Sequence, residues 1–214
     1  MDELEAIKNK ILSIDELPTY DEVLRFKEEE YSINNPNKQF LGVWQVYNKE
    51  FVDELTKEIK NLDVSPIIEV CAGSGKLSYW LRKNGINIVA TDDYSDERIY
   101  KDKDLVENLP HTKALEKHQP RLVIASFIPY SSKVAMDVLD HPSVEYYIDI
   151  GEKIVDDRLP RTGDPGIWLR KDVEKIDLEN VNKYSIGTSQ ISHDHGKTYV
   201  HFMKNSYVTL FTKI

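Results

Sequence analysis

The spacing of apolar residues divides the chain into three kinds of segment. Through residue 62 they recur at steps of three and four, the period of helices buried along one face. Residues 2–12, rich in Glu, Lys, Ile and Leu, predict a first helix that Pro18 closes off. Thr19 with Glu22 three residues on fits a capping box, predicting a second helix to about Tyr31 with Val23, Leu24, Phe26 and Tyr31 for burial. After the turn-forming Asn34-Asn35-Pro36-Asn37, a longer third helix is predicted over 38–62, with Leu41, Trp44, Tyr47, Phe51, Leu55, Ile59 and Leu62 in one stripe. From Pro66 the pattern changes to short apolar runs at 67–71, 86–90, 105–109, 122–127 and 144–150, with helical stretches at 76–83, 111–118 and 132–139 between them. That alternation implies an α/β fold: a doubly wound, mostly parallel sheet with helices on both faces.

Beyond Gly151 a polar loop runs to Gly163, and Asp164 reads as an N-cap with Pro165 opening a helix that holds Ile167, Trp168 and Leu169. The last residues alternate and are rich in β-branched and aromatic side chains. Segments 184–191, 198–203 and 207–212 therefore predict antiparallel strands, with turn signals at His195-Gly196 and Lys204-Asn205. The expected organisation is a helical extension, 1–62, packed on one structural unit, 63–214.

Composition narrows the function classes. The 214 residues are 40% hydrophobic and 30% charged, which suits one compact domain. A lone Cys71 excludes an internal disulfide framework or a Cys-rich zinc site, and no apolar run approaches the length of a membrane span. The acidic opening MDELEAIKNK is unlike a signal peptide, so a cytoplasmic protein without a membrane partner is expected. The net charge of −9 disfavours broad nucleic-acid binding. Residues 1–62 hold 14 Asp/Glu against 8 Lys/Arg, so −6 of that excess precedes the predicted sheet.

The chemistry concentrates in IIEVCAGSGKLSYWLRKNGINIVATDD. A strand ends in an acid, Glu69, and delivers Ala72-Gly73-Ser74-Gly75 into a helix start, where glycines permit a tight turn and unpaired N–H groups face a ligand. Seventeen residues after Gly75 the next strand ends at Asp92, an acid able to accept two hydrogen bonds from a ribose diol. A dinucleotide fingerprint would need glycine where Ser78 stands, and Glu69 would oppose a pyrophosphate. The same carboxylate suits a ligand carrying an ammonium or sulfonium centre.

Glu69-Val70-Cys71-Ala72-Gly73-Ser74-Gly75 resembles motif I of the class I S-adenosylmethionine-dependent methyltransferases, and Asp92 resembles that family's ribose-binding acid. The resemblance covers roughly residues 66–150. It implies a seven-stranded sheet with an antiparallel last strand, S-adenosyl-L-methionine as cofactor, and methyl transfer to a small molecule or protein side chain. It further implies that Glu69 takes the methionine ammonium directly or through water, that Ala72, Gly73 and Gly75 face the methionine and sugar, and that Asp92 holds the ribose. Asp93 or Tyr94 then lies near the adenine, with Leu109 through Thr112 as its wall. Acceptors in the family sit past the fourth strand, here Ser126-Phe127-Ile128-Pro129-Tyr130, which has one residue too many and one Pro too few for the amino-methyltransferase motif.

Ser126, Tyr130 and Glu152 are the candidate catalytic or acceptor-pocket residues. Asp164 is read as an N-cap rather than a base. His193-Asp194-His195 with His201 is read as a hairpin turn rather than a metal site, and no metal is expected. Trp44 and Tyr47 are either stripe packing or part of a cover over the cofactor. Two other functions stay open: a cofactor-binding or degenerate relative acting as an interaction module, and a nicotinamide oxidoreductase, which Ser78 and Glu69 disfavour.

Overall fold

The computed structural model of the chain describes residues 2–29, 42–95, 104–152, 162–193 and 198–214, without the side chains of 189–193 and 198–202. Its centre is a sheet. Strands β2 (Ile67–Val70), β3 (Ile88–Asp92), β4 (Val106–Asn108), β5 (Leu122–Ser126) and β6 (Tyr146–Glu152) are parallel, in the order β4-β3-β2-β5-β6. The last strand, β9 (Thr198–Lys213), runs antiparallel to β6 through 206–212, and β7 (Val173–Asp177) pairs with its far edge. The amino-terminal half of β9 pairs with β8 (Ile186–His193), which in turn pairs with the two-residue β1 (Gln45–Val46).

Side chains alternate between the two faces, as strand geometry requires. Ile67, Leu122, Ile124, Ile148, Ile150, Val208 and Leu210 pack on one side with α3 (Lys49–Leu62), α4 (Lys76–Lys83) and α7 (Glu179–Asn182). Ile68, Val70, Val123, Ala125, Tyr147 and Phe211 pack on the other with α5 (His111–His118), α6 (Val134–Asp140) and the short 3-10 turn Pro165–Leu169. Strands buried on both faces give the continuous apolar runs seen in the sequence. A smaller core joins α1 (Glu3–Leu12) and α2 (Tyr20–Glu29) to the sheet extension through Ile7, Ile11, Val23, Phe26, Val46, Ile186 and Met203.

Local expectations are met at several termini. Asp2 caps α1, and Thr19 and Glu22 exchange backbone-to-side-chain hydrogen bonds of 2.7 and 3.2 Å, the reciprocal capping box. Asp164 accepts from the Gly166 N–H at 2.8 Å as the N-cap of the 3-10 turn. Three expectations are corrected. The α/β sheet is mixed and has nine strands among the described residues, not a mostly parallel seven, because β1 and β8 extend it along β9. The third helix starts at Lys49: Asn48 stops it by accepting from the Phe51 N–H (2.9 Å) and donating to the Tyr184 carbonyl (2.8 Å), while Gln45 and Val46 pair with β8. Lys204-Asn205 is no turn, since β9 runs through it and only changes partner there, from β8 to β6.

Asn48 therefore ties the helix that backs the sheet to the β8 side of the fold. Asn48→Ala leaves the buried Phe51 N–H and Tyr184 carbonyl unpaired, and a loss of about 2 kcal/mol is expected in urea unfolding. A loss under about 0.5 kcal/mol would contradict this role.

Candidate functional site

A pocket of about 550 Å³, its open mouth included, lies at the carboxyl ends of β2 and β5. Glu69, Cys71, Ala72, Gly73 and Ser74 form one wall, and Ser126 and Phe127 stand beside them. Val43, Trp44, Gln45 and Tyr47 close over it from the segment around β1, with Ile11 from α1 and Lys76 from α4 at the side. This is where ligands gather in parallel sheets.

Both strands turn abruptly at the pocket. Cys71 and Phe127, one residue past the ends of adjacent strands, have φ of 53° and 52°, in the left-handed region that side chains rarely occupy. The Cys71 turn releases the Ala72-Gly73-Ser74-Gly75 loop, in which Gly73 has φ of 56°. Gly187 admits the Phe127 turn, since a Cβ there would lie 2.2 Å from the ring. Gly75 serves packing: its φ is 75°, and a Cβ would lie 2.5 Å from Val106.

Glu69 is the buried acid of the site, 1% exposed at the centre of the sheet. The first turn of α4 holds it: the Ser78 N–H and hydroxyl donate to Glu69 Oε2 at 3.1 and 2.5 Å. Among the described residues no donor is bonded to Oε1, and Glu69 lines the pocket. Burial pushes its carboxyl up to about 7, against the pull of the Ser78 hydrogen bonds and of Arg82, with Asp92 adding to the rise. Charging this group without a cationic partner is costly, and a cation in the pocket reverses that cost.

The other predicted residues distribute unevenly. Ala72, Gly73 and Ser126 line the pocket. Asp92 sits just behind the loop, accepting from the Gly73 N–H (2.9 Å) and the Tyr94 N–H (2.7 Å), so it braces the glycine turn. Asp93 is exposed and accepts from the Ser95 N–H at 2.9 Å. Leu109 donates its N–H to the Asp92 carbonyl, beside the start of α5. Tyr130 is 59% exposed, away from the pocket wall. Glu152 forms an ion pair with Lys204, and its N–H donates to Thr162. Trp44 and Tyr47 line the pocket, from the backbone that the Thr188 N–H and hydroxyl hold through the Trp44 and Val43 carbonyls (2.7 and 2.6 Å). Asp194 and His195, and the side chains of His193 and His201, lie outside the described residues; among those described, no group of three His, Cys, Asp or Glu is placed to hold a metal.

Sequence reasoning missed Ser78, read only as an absent glycine, and Lys76. It also missed Gly187, which marks the position by sitting where a β-branched residue would be expected in a strand. Two further groups of the wall, Cys71 and Tyr47, are held protonated. Burial pushes the Cys71 thiol up to about 12 and lifts the Tyr47 hydroxyl above its ordinary range.

No family model and no curated protein matches the sequence. The chain is similar to several solved structures. A Pyrococcus horikoshii protein classed by inference as an RNA methyltransferase is 13% identical with a TM-score of 0.45, covering 83% of this chain and 92% of its own. Magnesium protoporphyrin IX methyltransferase from Synechocystis, solved with bound S-adenosylmethionine, is 12% identical with a TM-score of 0.42 over 100% of this chain and 98% of its own. A glycopeptide N-methyltransferase is 11% identical with a TM-score of 0.38, over 78% and 92%.

The raised Glu69 carboxyl makes stability depend on pH. A folded-state value above the unfolded one favours the folded protein at low pH, and that advantage is lost as pH rises from 4.5 through about 7. Glu69→Gln removes this loss. Its stability relative to the parent chain should therefore improve by about 2 to 3 kcal/mol between pH 5 and pH 8 in urea unfolding. A difference that stays flat across that window would show that the carboxylate is not buried at such cost.

Proposed function

We propose that the chain binds S-adenosyl-L-methionine and transfers its methyl group to a small-molecule or protein acceptor. The observation that carries this reading is Glu69: a buried acid at the end of the central strand, one oxygen held by Ser78, in the wall of a pocket floored by a glycine turn. In this reading Glu69 takes the methionine ammonium, Ala72 and Gly73 lie against the methionine and sugar, and Gly75 keeps the turn close to β4. Asp92 takes the ribose hydroxyls, and Asp93 or Tyr94 lies near the adenine. Residues 1–62 act as the cover and 63–214 as the cofactor-binding unit.

When bound, the cofactor supplies a methyl carbon made electrophilic by its sulfonium. Glu69, Ala72 and Gly73 would hold it, with the methyl passing to an acceptor's lone pair and S-adenosylhomocysteine left as product. The protein's part is alignment and exclusion of water. Trp44, Tyr47 and Phe127 wall the pocket against solvent, and Ser126 contacts the acceptor side. Tyr130 and Glu152, further out, meet a larger acceptor at the rim, Glu152 with its charge already balanced by Lys204.

A second reading is binding without turnover. It is favoured by the pocket wall, where Tyr47 and Cys71 are held protonated and Glu69 is tied to Ser78. Nicotinamide chemistry is disfavoured because Ser78 occupies the place of the third glycine and is committed to Glu69.

Calorimetry with S-adenosylmethionine, S-adenosylhomocysteine and NAD tests the reading. The first two should bind with dissociation constants on the order of micromolar and NAD should not. Below pH 7 binding should release a proton, and affinity should fall about tenfold per pH unit as Glu69 must deprotonate to meet the ammonium. Glu69→Gln should weaken both ligands at least about tenfold and remove the pH dependence. Failure of the parent chain to bind either ligand overturns the proposal, and turnover on an acceptor panel separates transfer from binding alone.

A further inference from the structure

The helix that opens after the glycine turn does more than hold Glu69. Its next face grips the N-terminal segment. Lys76 Nζ donates to the carbonyls of Lys10 (2.9 Å) and Ile11 (3.0 Å), Trp80 Nε1 donates to the Ile14 carbonyl (2.9 Å), and the Tyr79 hydroxyl bonds to Asp15 Oδ1 (3.1 Å). The first two acceptors belong to the last turn of α1, whose final carbonyls have no partner within the helix and carry its negative dipole end. Lys76 is only 5% exposed, so those two carbonyls stand in for the water its ammonium has lost.

Lys76 and Ile11 both line the pocket. A lysine in the wall of a pocket whose acid attracts cations is of like charge to the ligand. Its charge is tolerable there because the end of α1 absorbs it. If residues 10–15 moved away, Lys76 would lose both acceptors and turn its charge toward the pocket, while Ile11 would leave the wall. Departure of α1 thus opens the pocket and makes it repel a cation at the same time.

We propose that Lys76 is a positioning residue, a latch that holds residues 10–15 as a wall of the cofactor pocket, so that docking of α1 and retention of a cationic ligand reinforce each other. This rests on the reading of the pocket as the S-adenosylmethionine site. Trp80 and Tyr79 extend the same latch along the segment. Burial also lowers the Lys76 ammonium to about 8, in keeping with a buried charge held by two carbonyl acceptors.

The test uses the full chain and S-adenosylmethionine, a net cation through its sulfonium and ammonium, with stopped-flow dissociation and hydrogen exchange over peptides covering 3–15. In the parent chain the ligand should slow exchange in those peptides by about tenfold. Lys76→Met should raise the dissociation rate about tenfold with the association rate within about twofold, and should abolish the ligand-dependent protection. Trp80→Phe, which keeps the ring but lacks the N–H, should shift both readouts in the same direction by a smaller factor, and it carries the test if Lys76→Met does not fold. Parent-like dissociation and parent-like protection in the folded variants overturn the latch alone. Absence of binding by the parent chain overturns the cofactor reading and the latch with it.

Discussion

A carboxylate at the centre of a parallel sheet, where both faces are covered by apolar side chains, needs a reason to be there and a partner to keep it. Ser78 supplies the partner through its N–H and hydroxyl, both on one oxygen of Glu69. That tie reaches from the end of β2 across the glycine loop to the first turn of α4, so it fixes where the loop turns and where the helix begins. Asp92, at the end of the neighbouring strand, braces the same loop through the Gly73 N–H. The left-handed residues Cys71 and Phe127 store strain at two adjacent strand ends, beside the loop these bonds hold in place.

The remaining walls come from far away in sequence. Trp44 and Tyr47 are placed by a strip of backbone clipped to Thr188 of β8, and β8 is itself laid along the amino-terminal half of β9. Ile11 arrives from α1, held by the side chains of α4. The inner half of the pocket is thus built into the main cores of the sheet, and the outer half onto the smaller core of α1, α2, β1 and β8. Such a division concentrates rigidity around the acid and leaves the cover on its own smaller apolar core, tied to α4 by polar contacts.

Much of the fold was legible in the sequence because double-sided burial leaves a plain mark. Runs such as Leu122 to Ala125 are apolar throughout, and α5 spans the residues its helical stretch predicted. The capping box at Thr19 and Glu22 and the N-cap at Asp164 were legible because the signal is local. The start of α3 was not, since Trp44 and Tyr47 continue its helical period by coincidence and only the long-range pairing of Gln45 with Gly187 removes them from it. Nor was the continuity of β9, because a strand that changes partners at Asn205 and Ser206 keeps polar residues there without turning. In the site, Glu69 and the glycine loop stood out by residue type. Ser78 and Lys76 did not, because their roles rest on which distant oxygen each one reaches.

In the proposed function Glu69 receives the cationic end of the ligand. A crystal structure of the chain with S-adenosylhomocysteine tests this most directly. The account predicts the ligand's amino group within hydrogen-bond distance of Glu69, about 3 Å, while Ser78 keeps its hold on Oε2. A ligand bound in this pocket with its amino group elsewhere, and Glu69 bonded to Ser78 alone, would contradict it.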